Sequence, residues 1–205
     1  MKHLFIEGPV QQGKSTLLRK CLEPYKDRLG GFSSQRLMRA GEIPAAYRIT
    51  EAGDFCLQRE SDLSLPGIFQ IRTRDGSEKH PEIFSEFGVE LLEAAKDKDL
   101  ILLDEIGGSE LLVPEFRENL YEILGGDVPC IGVIKLNEKA RFMSAKAGYP
   151  KTVSEMNSRL RKDITERFDG HIISILDMPD RSSNNYAILK KKIEEFLCGI
   201  FTTNC

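Results

Sequence analysis

The feature that most constrains this chain is the segment GPVQQGKS at residues 8–15, close to the N-terminus. It fits the pattern G-x-x-x-x-G-K-[ST], in which a glycine-rich loop turns successive backbone N–H groups toward a phosphate. The apolar run LFI at residues 4–6 comes directly before it and predicts a buried strand. The apolar residues at 17, 18, 21 and 22 are spaced as one face of a helix. Strand, loop and helix in this order predict a phosphate-binding loop of the Walker A type.

Each polar residue of this loop has an expected role. Lys14 is expected to reach the β- and γ-phosphates of a nucleotide, and the Ser15 hydroxyl is expected to ligate Mg²⁺. The positive end of the following helix adds to the attraction for a polyphosphate. The alternative is a glycine-rich turn with a solvated lysine, and the strand and helix that flank the loop argue against it. The residues expected to bind the phosphates are Gly8, Gln11, Gln12, Gly13, Lys14, Ser15 and Thr16.

The composition is that of a soluble globular protein. Of the 205 residues, 40% are hydrophobic and 30% are charged, which is enough for one α/β domain with a full core. The net charge of −3 argues against a dedicated nucleic-acid binder, and no apolar run has membrane-spanning length. The five cysteines are scattered and form no C-x-x-C pair, so we expect reduced thiols and a cytoplasmic protein.

The apolar pattern predicts strands that alternate with helices. Continuous apolar runs at residues 100–103 and 130–134 predict buried parallel strands, and the stripe at 114–125 predicts a helix between them. We therefore expect an α/β fold in which a mainly parallel sheet is covered by helices on both faces. We expect residues 1–205 to form a single domain, with an irregular, basic, lid-like segment around residues 137–168.

The first half of the chain has a less regular pattern. The runs YRIT at residues 47–50 and FCL at 55–57 flank a turn-like segment and predict a β-hairpin. Residues 68–71 predict another strand, and the polar residues 72–80 predict a loop.

A pair of carboxylates follows the apolar run at residues 100–103. Asp104 can hold Mg²⁺ through water, the Walker B role, and Glu105 can orient and deprotonate an attacking water as a general base. In a parallel α/β sheet, ligands collect beyond the carboxyl ends of the strands, where the loop at residues 8–15 also lies. The alternative is a surface acid pair that merely ends the strand. Both motifs in one chain favour a hydrolytic site, with Ser15 and Asp104 as metal ligands and Glu105 and Lys14 as catalytic residues.

Four sequence elements occur here in the order found in one known family. They are the loop at residues 8–16, GFSS at 31–34, FGVE at 87–90, and LLDEIG at 102–107 followed by Glu110 and Leu111. The chain thereby resembles the P-loop nucleoside-triphosphatases first described in thermophiles, the family of the human cancer-related nucleoside-triphosphatase. The resemblance covers residues 2–136 and extends more loosely to residue 181. It implies a P-loop NTPase three-layer sandwich that is RecA-like, with extra strands between the P-loop strand and the Walker B strand.

The resemblance also implies an activity. It is the Mg²⁺-dependent hydrolysis of ATP, GTP and other nucleoside triphosphates to diphosphate and phosphate, with low base selectivity. After the last strand the family has an Asn-Arg pair that touches the base, and the matching positions here are Asp180 and Arg181. We expect nucleoside triphosphates as partners, neither nucleic acid nor membrane, and a monomer in preference to an oligomer.

The chain departs from the family's usual residues at three places. Gly108 stands where the family has a lysine after D-E-I-G, and VQQ at residues 10–12 lies within a loop that usually reads G-x-P-G-x-G-K-T-T. After G-F-x-T the family has a glutamate and, two residues on, an arginine. This chain has Arg36 and Met38 there, followed by Arg39. Whether Arg36, Arg39 or another residue supplies a cis arginine stays open.

Two alternatives to a hydrolase stay open as well. A kinase shares the P-loop but excludes water under a lid, which the basic residues 137–167 would form. A nucleotide-switched binding module would hydrolyse slowly and so reset a partner contact. The pair Asp104-Glu105 favours water as the nucleophile.

Four further residues attract attention in the sequence. Lys135 ends the apolar run at residues 130–134 and is a candidate to face the γ-phosphate, although a lysine at the end of a strand is usually just exposed. The histidines at positions 3, 80 and 171 have no metal-ligand spacing. We expect all three at the surface or at strand edges.

Overall fold

One β-sheet organises the chain. The structure, a computed structural model, describes residues 1–9, 12–39, 43–137, 152–175 and 183–201. Within these residues the sheet contains nine strands: β1 (His3–Glu7), β2 (Leu29–Arg39), β3 (Ile43–Glu51), β4 (Gln58–Glu60), β5 (Ile68–Thr73), β6 (Gly76–Lys79), β7 (Leu100–Ile106), β8 (Cys130–Ile134) and β9 (Gly170–Ser174).

The middle of the sheet is parallel and one side of it is antiparallel. The order is β6-β5-β3-β2-β7-β8-β1-β9, with β4 paired to the far end of β2. The strands β2, β7, β8, β1 and β9 run parallel, whereas β3, β5 and β6 add antiparallel pairs. The prediction of an α/β fold is confirmed, and β8 lies between β1, which leads to the glycine-rich loop, and β7, which carries the acidic pair.

Helices cover both faces of the sheet. They are α1 (Lys14–Leu22), α2 (Val89–Glu93), α3 (Pro114–Gly125), α4 (Thr152–Glu166) and α5 (Ser183–Phe201). Because side chains alternate along a strand, Leu102 of β7 points into the core under α1 and α5, whereas Leu103 points into the core under α2, α3 and α4. The predicted three layers are confirmed.

Local signals set the limits of the helices. Pro114 lies at the first position of α3, where its missing N–H costs no hydrogen bond. Gly13, with φ of 74°, adopts the left-handed conformation directly before α1, which glycine does without steric cost. Pro24 lies in the first turn of a 3₁₀ helix, Glu23–Arg28, that follows α1.

Two predictions for the first half of the chain are wrong. Residues 47–57 do not form a hairpin, because β3 pairs with β2 and residues 55–57 lie outside any strand. The polar segment 72–80 is not simply a loop, because β6 pairs antiparallel with β5 within it. Alternation marks a strand, but the partner of a strand depends on contacts that are distant in sequence.

The predicted basic segment is described only in part. Its residues 138–151 lie outside the described residues, whereas residues 152–166 form the helix α4. Three basic residues of α4 have carboxylate partners: Arg159 pairs with Asp163, Arg161 with Glu7, and Lys162 with Glu166. Among the described helices, none has the length and apolar character needed to cross a membrane.

His3 is buried, contrary to the expectation of a surface or strand-edge histidine. It lies in β1 with no exposed surface. The backbone N–H of Cys130 donates to His3 Nδ1 over 2.9 Å, so Nε2 carries the proton and donates to the carbonyl of Leu124 at 3.0 Å. Burial lowers the pKa of His3 from 6.5 to about 4. The imidazole is therefore a neutral structural link between β1, β8 and α3.

This link predicts how stability depends on pH. The unfolded chain protonates His3 below pH 6.5 but the folded chain resists until about pH 4. The neutral ring thus makes its full contribution to the free energy of unfolding above pH 6.5. That free energy falls by about 3 kcal/mol as the pH is lowered from 6.5 to 4. In His3→Gln, chemical denaturation between pH 7.5 and 4 should show a smaller loss than in the wild type. The control His171→Gln, at an exposed position of β9, should show the same dependence of unfolding free energy on pH as the wild type. If His3→Gln also lost as much stability with falling pH as the wild type, His3 would not be the group responsible.

Candidate functional site

Three strands of the parallel core bring their carboxyl ends to one place. The loop after β1 leads into α1, β7 ends in the acidic pair, and β8 lies between these two strands. A cavity of about 620 Å³ opens there, which is within the range of small-molecule sites. Residues from the loop and from both strand ends line it, among them Lys14, Asp104, Glu105 and Lys135. The fold thus brings together the two motifs that the sequence placed 90 residues apart.

The described part of the phosphate-binding loop has its lysine folded back onto the loop. Lys14 is buried, and its Nζ donates to the carbonyls of Gly8 at 2.9 Å and Pro9 at 2.6 Å. The Lys14 ammonium group also lines the cavity, so it is placed to contact an anion that binds to the loop. Gln12 and Thr16 are exposed residues that line the cavity.

Ser15 and Asp104, the two predicted metal ligands, are in direct contact. The Ser15 hydroxyl donates to Asp104 Oδ1 over 2.8 Å. In the predicted arrangement the Ser15 hydroxyl would ligate Mg²⁺ directly and the Asp104 carboxylate would hold the ion through water. The contact of the two side chains and their hard oxygen chemistry fit a magnesium ion that takes its other ligands from phosphate and water. Among the described residues, no group of three or more His, Cys, Asp or Glu side chains could hold a metal by itself.

Arg19 is a site residue that the sequence interpretation missed. It is 4% exposed, and its Nη2 donates to Asp104 Oδ2 at 3.0 Å and to the carbonyl of Ser34 at 2.6 Å. The signal that was available is its spacing, since Arg19 follows Ser15 by four residues and therefore lies on the same side of α1. Asp104 is thus held by two donors from one helix.

The surroundings of Asp104 act on its pKa in opposite directions. The side chain is almost fully buried, and burial raises the pKa of its carboxyl group. The Arg19 charge and the Ser15 hydroxyl oppose this shift, while the neighbouring Glu105 charge adds to it. Arg19 therefore stabilises the ionised form of Asp104, the form that a metal ion requires.

Glu105 has a different environment from its neighbour. It is half-buried and lines the cavity, and its carboxylate makes no hydrogen bond or ion pair with any residue that the structure describes. A carboxylate that faces a cavity can accept a proton from a ligand or water there. The two acids of the motif thus have separate surroundings, which agrees with the separate roles that the sequence predicts.

A second acid–base pair lies beside Glu105. Glu110 is 2% exposed, and its Oε1 accepts a hydrogen bond from the Gly108 backbone N–H at 2.6 Å. Its Oε2 lies 3.8 Å from Lys135 Nζ. Glu110 comes from the 3₁₀ turn Ser109–Leu112, and Lys135 follows β8, so the pair links the ends of β7 and β8.

The cavity continues past Glu105 along the antiparallel strands. Arg36 of β2, Tyr47 of β3 and Arg72 of β5 line this part of it. The guanidinium carbon of Arg72 lies 5.7 Å from the centre of the Tyr47 ring. Of the two candidate cis arginines, Arg36 lines the cavity and Arg39 is not among its lining residues.

Several predicted site residues cannot be compared with the structure. Gln11 of the loop and the expected base-binding residues Asp180 and Arg181 lie outside the described residues. Their roles stay predictions. Of the predicted phosphate and metal residues, Gln12, Gly13, Lys14, Ser15, Thr16 and Asp104 line one cavity.

The chain matches a known protein family over most of its length. A family model described as "NTPase" matches residues 3–167. A protein of *Thermotoga maritima* named nucleoside-triphosphatase THEP1 is 30% identical over 178 residues, which cover 84% of this chain and 94% of that protein. A nucleoside-triphosphatase THEP1 of *Ignicoccus hospitalis* is 31% identical over 134 residues, or 63% of this chain and 73% of that protein.

Two solved structures have the same fold. The crystal structure of THEP1 from *Aquifex aeolicus* matches with a TM-score of 0.59 and 20% identity, over 96% of this chain and 99% of that chain. The solution structure of a human cancer-related nucleoside triphosphatase matches with a TM-score of 0.60 and 20% identity, over 97% and 98% of the two chains. The family model covers most of the chain, and with the 30% identity to the THEP1 protein of Thermotoga maritima it shows that the chain belongs to the NTPase family.

Proposed function

We propose that the chain is an enzyme that hydrolyses nucleoside triphosphates to diphosphate and phosphate with the help of Mg²⁺. The observation that carries the proposal is the contact of Ser15 with Asp104 at the start of α1, in a cavity that Lys14 and Glu105 also line. Two relatives that this chain matches over nearly their whole length carry the name nucleoside-triphosphatase, and this supports the same activity here.

The phosphates would occupy the loop at the start of α1. Backbone N–H groups of the loop and Lys14 would bind the β- and γ-phosphates. Mg²⁺, held by Ser15 and Asp104, would neutralise charge that develops on the phosphate oxygens. To bind phosphate, Lys14 must exchange its contacts with the Gly8 and Pro9 carbonyls for contacts with phosphate oxygens.

Glu105 would activate the nucleophile. The oxygen of a water molecule attacks the γ-phosphorus, the bond from that phosphorus to the β–γ bridging oxygen breaks, and the diphosphate leaves. The proton of the water passes to the Glu105 carboxylate and then to solvent. The half-buried, cavity-lining position of Glu105 supports this role.

Base selectivity would be low. The names of the relatives refer to nucleoside triphosphates in general and to no particular base. We keep Asp180 and Arg181 as the residues that would contact the base. A cytoplasmic, monomeric enzyme is the form that we propose, because five scattered cysteines without a C-x-x-C pair favour reduced thiols.

A phosphotransferase is the second candidate, and one observation favours it. The cavity extends beyond Glu105 to Arg36, Tyr47 and Arg72, so there is room for a second anionic ligand next to the γ-phosphate. Such a ligand would accept the phosphoryl group in place of water. A slow nucleotide-switched binding module is the third candidate, which a partner would accelerate.

One rate profile separates these candidates. Initial rates of phosphate release with Mg²⁺ should be similar, within about tenfold, for ATP, GTP, CTP, UTP and their deoxy forms, without any acceptor. Chelation of the metal should abolish the activity. Strong preference for one base would contradict low selectivity. Consumption of triphosphate only with an added acceptor would favour the phosphotransferase, and turnover only with a cell extract would favour the binding module.

Substitution of Glu105 tests the role of the general base. Glu105→Gln keeps the size of the side chain but cannot accept the proton, so hydrolysis should fall about 10²–10⁴-fold while nucleotide binding stays nearly unchanged. The control Glu118→Gln, at an exposed position of α3, should hydrolyse at the wild-type rate. Wild-type turnover in Glu105→Gln would remove Glu105 from the mechanism.

Substitution of Arg19 tests how Asp104 is kept ionised. Loss of the Arg19 charge raises the pKa of Asp104, so a larger fraction of the carboxyl is protonated at any acidic pH. In Arg19→Met, the acidic limb of the kcat/KM profile should therefore move to higher pH, with about a tenfold loss at pH 6 and a smaller loss at pH 9. Additional Mg²⁺ should restore part of the activity.

Two variants control for a general effect on folding. Arg19→Lys keeps a positive charge and should shift the acidic limb less than Arg19→Met. Lys20→Met removes a charge from an exposed position of the same helix and should leave the profile unchanged. A loss in Arg19→Met that is equal at every pH would show that Arg19 has only a structural role.

A further inference from the structure

Lys135 occupies the place in the sheet that lies between the two halves of the site. It directly follows β8, and β8 lies between β1, which leads to the phosphate loop, and β7, which ends in the acidic pair. Because parallel strands end at the same edge, the residue after β8 lies between Lys14 and Asp104. This is where the γ-phosphate of a nucleotide bound by the loop would lie, since Lys14 and Mg²⁺ both act on the β- and γ-phosphates.

The backbone of Lys135 is fixed from several sides. Its N–H donates to the carbonyl of Ile106 at 2.8 Å, which extends the pairing of β8 with β7. Its carbonyl accepts from Asn157 Nδ2 at 3.3 Å and from Arg161 Nη1 at 3.4 Å, both from α4. Asn157 has no exposed surface and also donates to the carbonyl of Gly107 at 2.7 Å. The Lys135 side chain therefore starts from a well-defined point.

The side chain of Lys135 is directed by Glu110. Its Nζ lies 3.8 Å from Glu110 Oε2, while Oε1 of the same carboxylate is held by the Gly108 N–H. Lys135 is only partly exposed and lines the cavity that the phosphate loop opens into. At 3.8 Å the pair is an ion pair rather than a short hydrogen bond, and the positive charge of the ammonium group attracts an anion that enters the cavity beside it.

Gly108 provides the room for this arrangement. A Cβ built on Gly108 would lie 2.3 Å from Lys135 Nζ and 2.9 Å from Glu110 Oε2. Any side chain at position 108 would therefore displace the ammonium group from its present position. The observed position of the Lys135 ammonium group thus depends on the absence of a side chain at position 108.

The charges of the site leave a role for a second lysine. Arg19 is engaged by Asp104 on the opposite side of the carboxylate from Ser15. Glu105 and Glu110 add two further carboxylates to the cavity wall. A terminal phosphate approaching these acids requires a cation beside them, and Lys135, which is paired with Glu110, is a cation that lines the same cavity.

We propose that Lys135 binds the terminal phosphate of the triphosphate and thereby distinguishes triphosphate from diphosphate. The inference rests on the proposed function. Glu110 is then a positioning residue that holds the ammonium group toward the phosphate, and Gly108 keeps the space open. Because a diphosphate has no group at the γ position, the contact contributes to binding of the triphosphate alone.

Binding measurements without turnover test this assignment. Isothermal titration in Mg²⁺ should compare ADP with a non-hydrolysable ATP analogue in wild type and in Lys135→Met. The variant keeps the length of the side chain but removes the charge, and it should bind the analogue about 10- to 100-fold more weakly. ADP affinity should change less than about twofold. Lys162→Met, an exposed lysine of α4, is the control for loss of a positive charge and should bind both ligands like wild type.

Gly108→Ala tests the same contact without a change of charge. The φ of Gly108, −117°, lies outside the left-handed region that favours glycine, and the atom nearest to a new methyl group is the movable end of Lys135. The new methyl group should displace the ammonium and weaken binding of the ATP analogue while ADP affinity is kept. Thermal unfolding of both variants shows whether each is folded.

The outcomes separate this inference from the proposed function. Equal weakening of ADP and the analogue in Lys135→Met, or no weakening of either, overturns the role of Lys135 and leaves hydrolysis by the wild type standing. Failure of the wild type to bind either nucleotide overturns the proposed function and this inference together. Selective loss of analogue affinity in both variants supports the assignment.

Discussion

The carboxylate of Asp104 is the group on which the site depends. It is buried at the end of β7, and α1 holds both of its oxygens through Ser15 and Arg19. A buried carboxylate without such partners would be protonated or would destabilise the fold. The same two bonds fix the start of α1 against β7. One set of contacts therefore fixes the position of the predicted phosphate loop and stabilises the charge of the proposed metal ligand Asp104.

The antiparallel side of the sheet depends on a second buried polar group. Arg48 of β3 is 6% exposed, and its Nε donates to Gln35 Oε1 of β2 at 2.7 Å. Its Nη2 lies 3.4 Å from Asp54 Oδ2 and so ties the segment after β3 to both strands. Burial lowers the pKa of Arg48, and the Asp54 charge opposes the shift. This network supports the wall of the cavity next to Tyr47 and thus the space beyond Glu105.

Much of the parallel core could be predicted because its signals are local. The predicted bounds of α3 and β8 agree with the observed Pro114–Gly125 and Cys130–Ile134, since proline, glycine and an unbroken apolar run mark them. β4 and β6 carry no such signal. They are short, polar and exposed, and they are strands only because β2 and β5 supply partners that a local pattern does not contain.

The site shows the same division. The phosphate loop and the acidic pair were predicted from their spacing, and the parallel sheet brings them together as expected. Arg19 was missed because an arginine on an apolar helix face is ordinarily solvated, and only the burial of Asp104 opposite it reveals its role. From the sequence, Gly108 only indicates that this chain lacks the lysine that the family has at that position. Its meaning depends on Lys135, which is 27 residues away in the chain and reaches the same place only because β8 lies beside β7. A charge can therefore keep its position in such a site while the residue that carries it changes, provided that the sheet brings a second strand end to the same point.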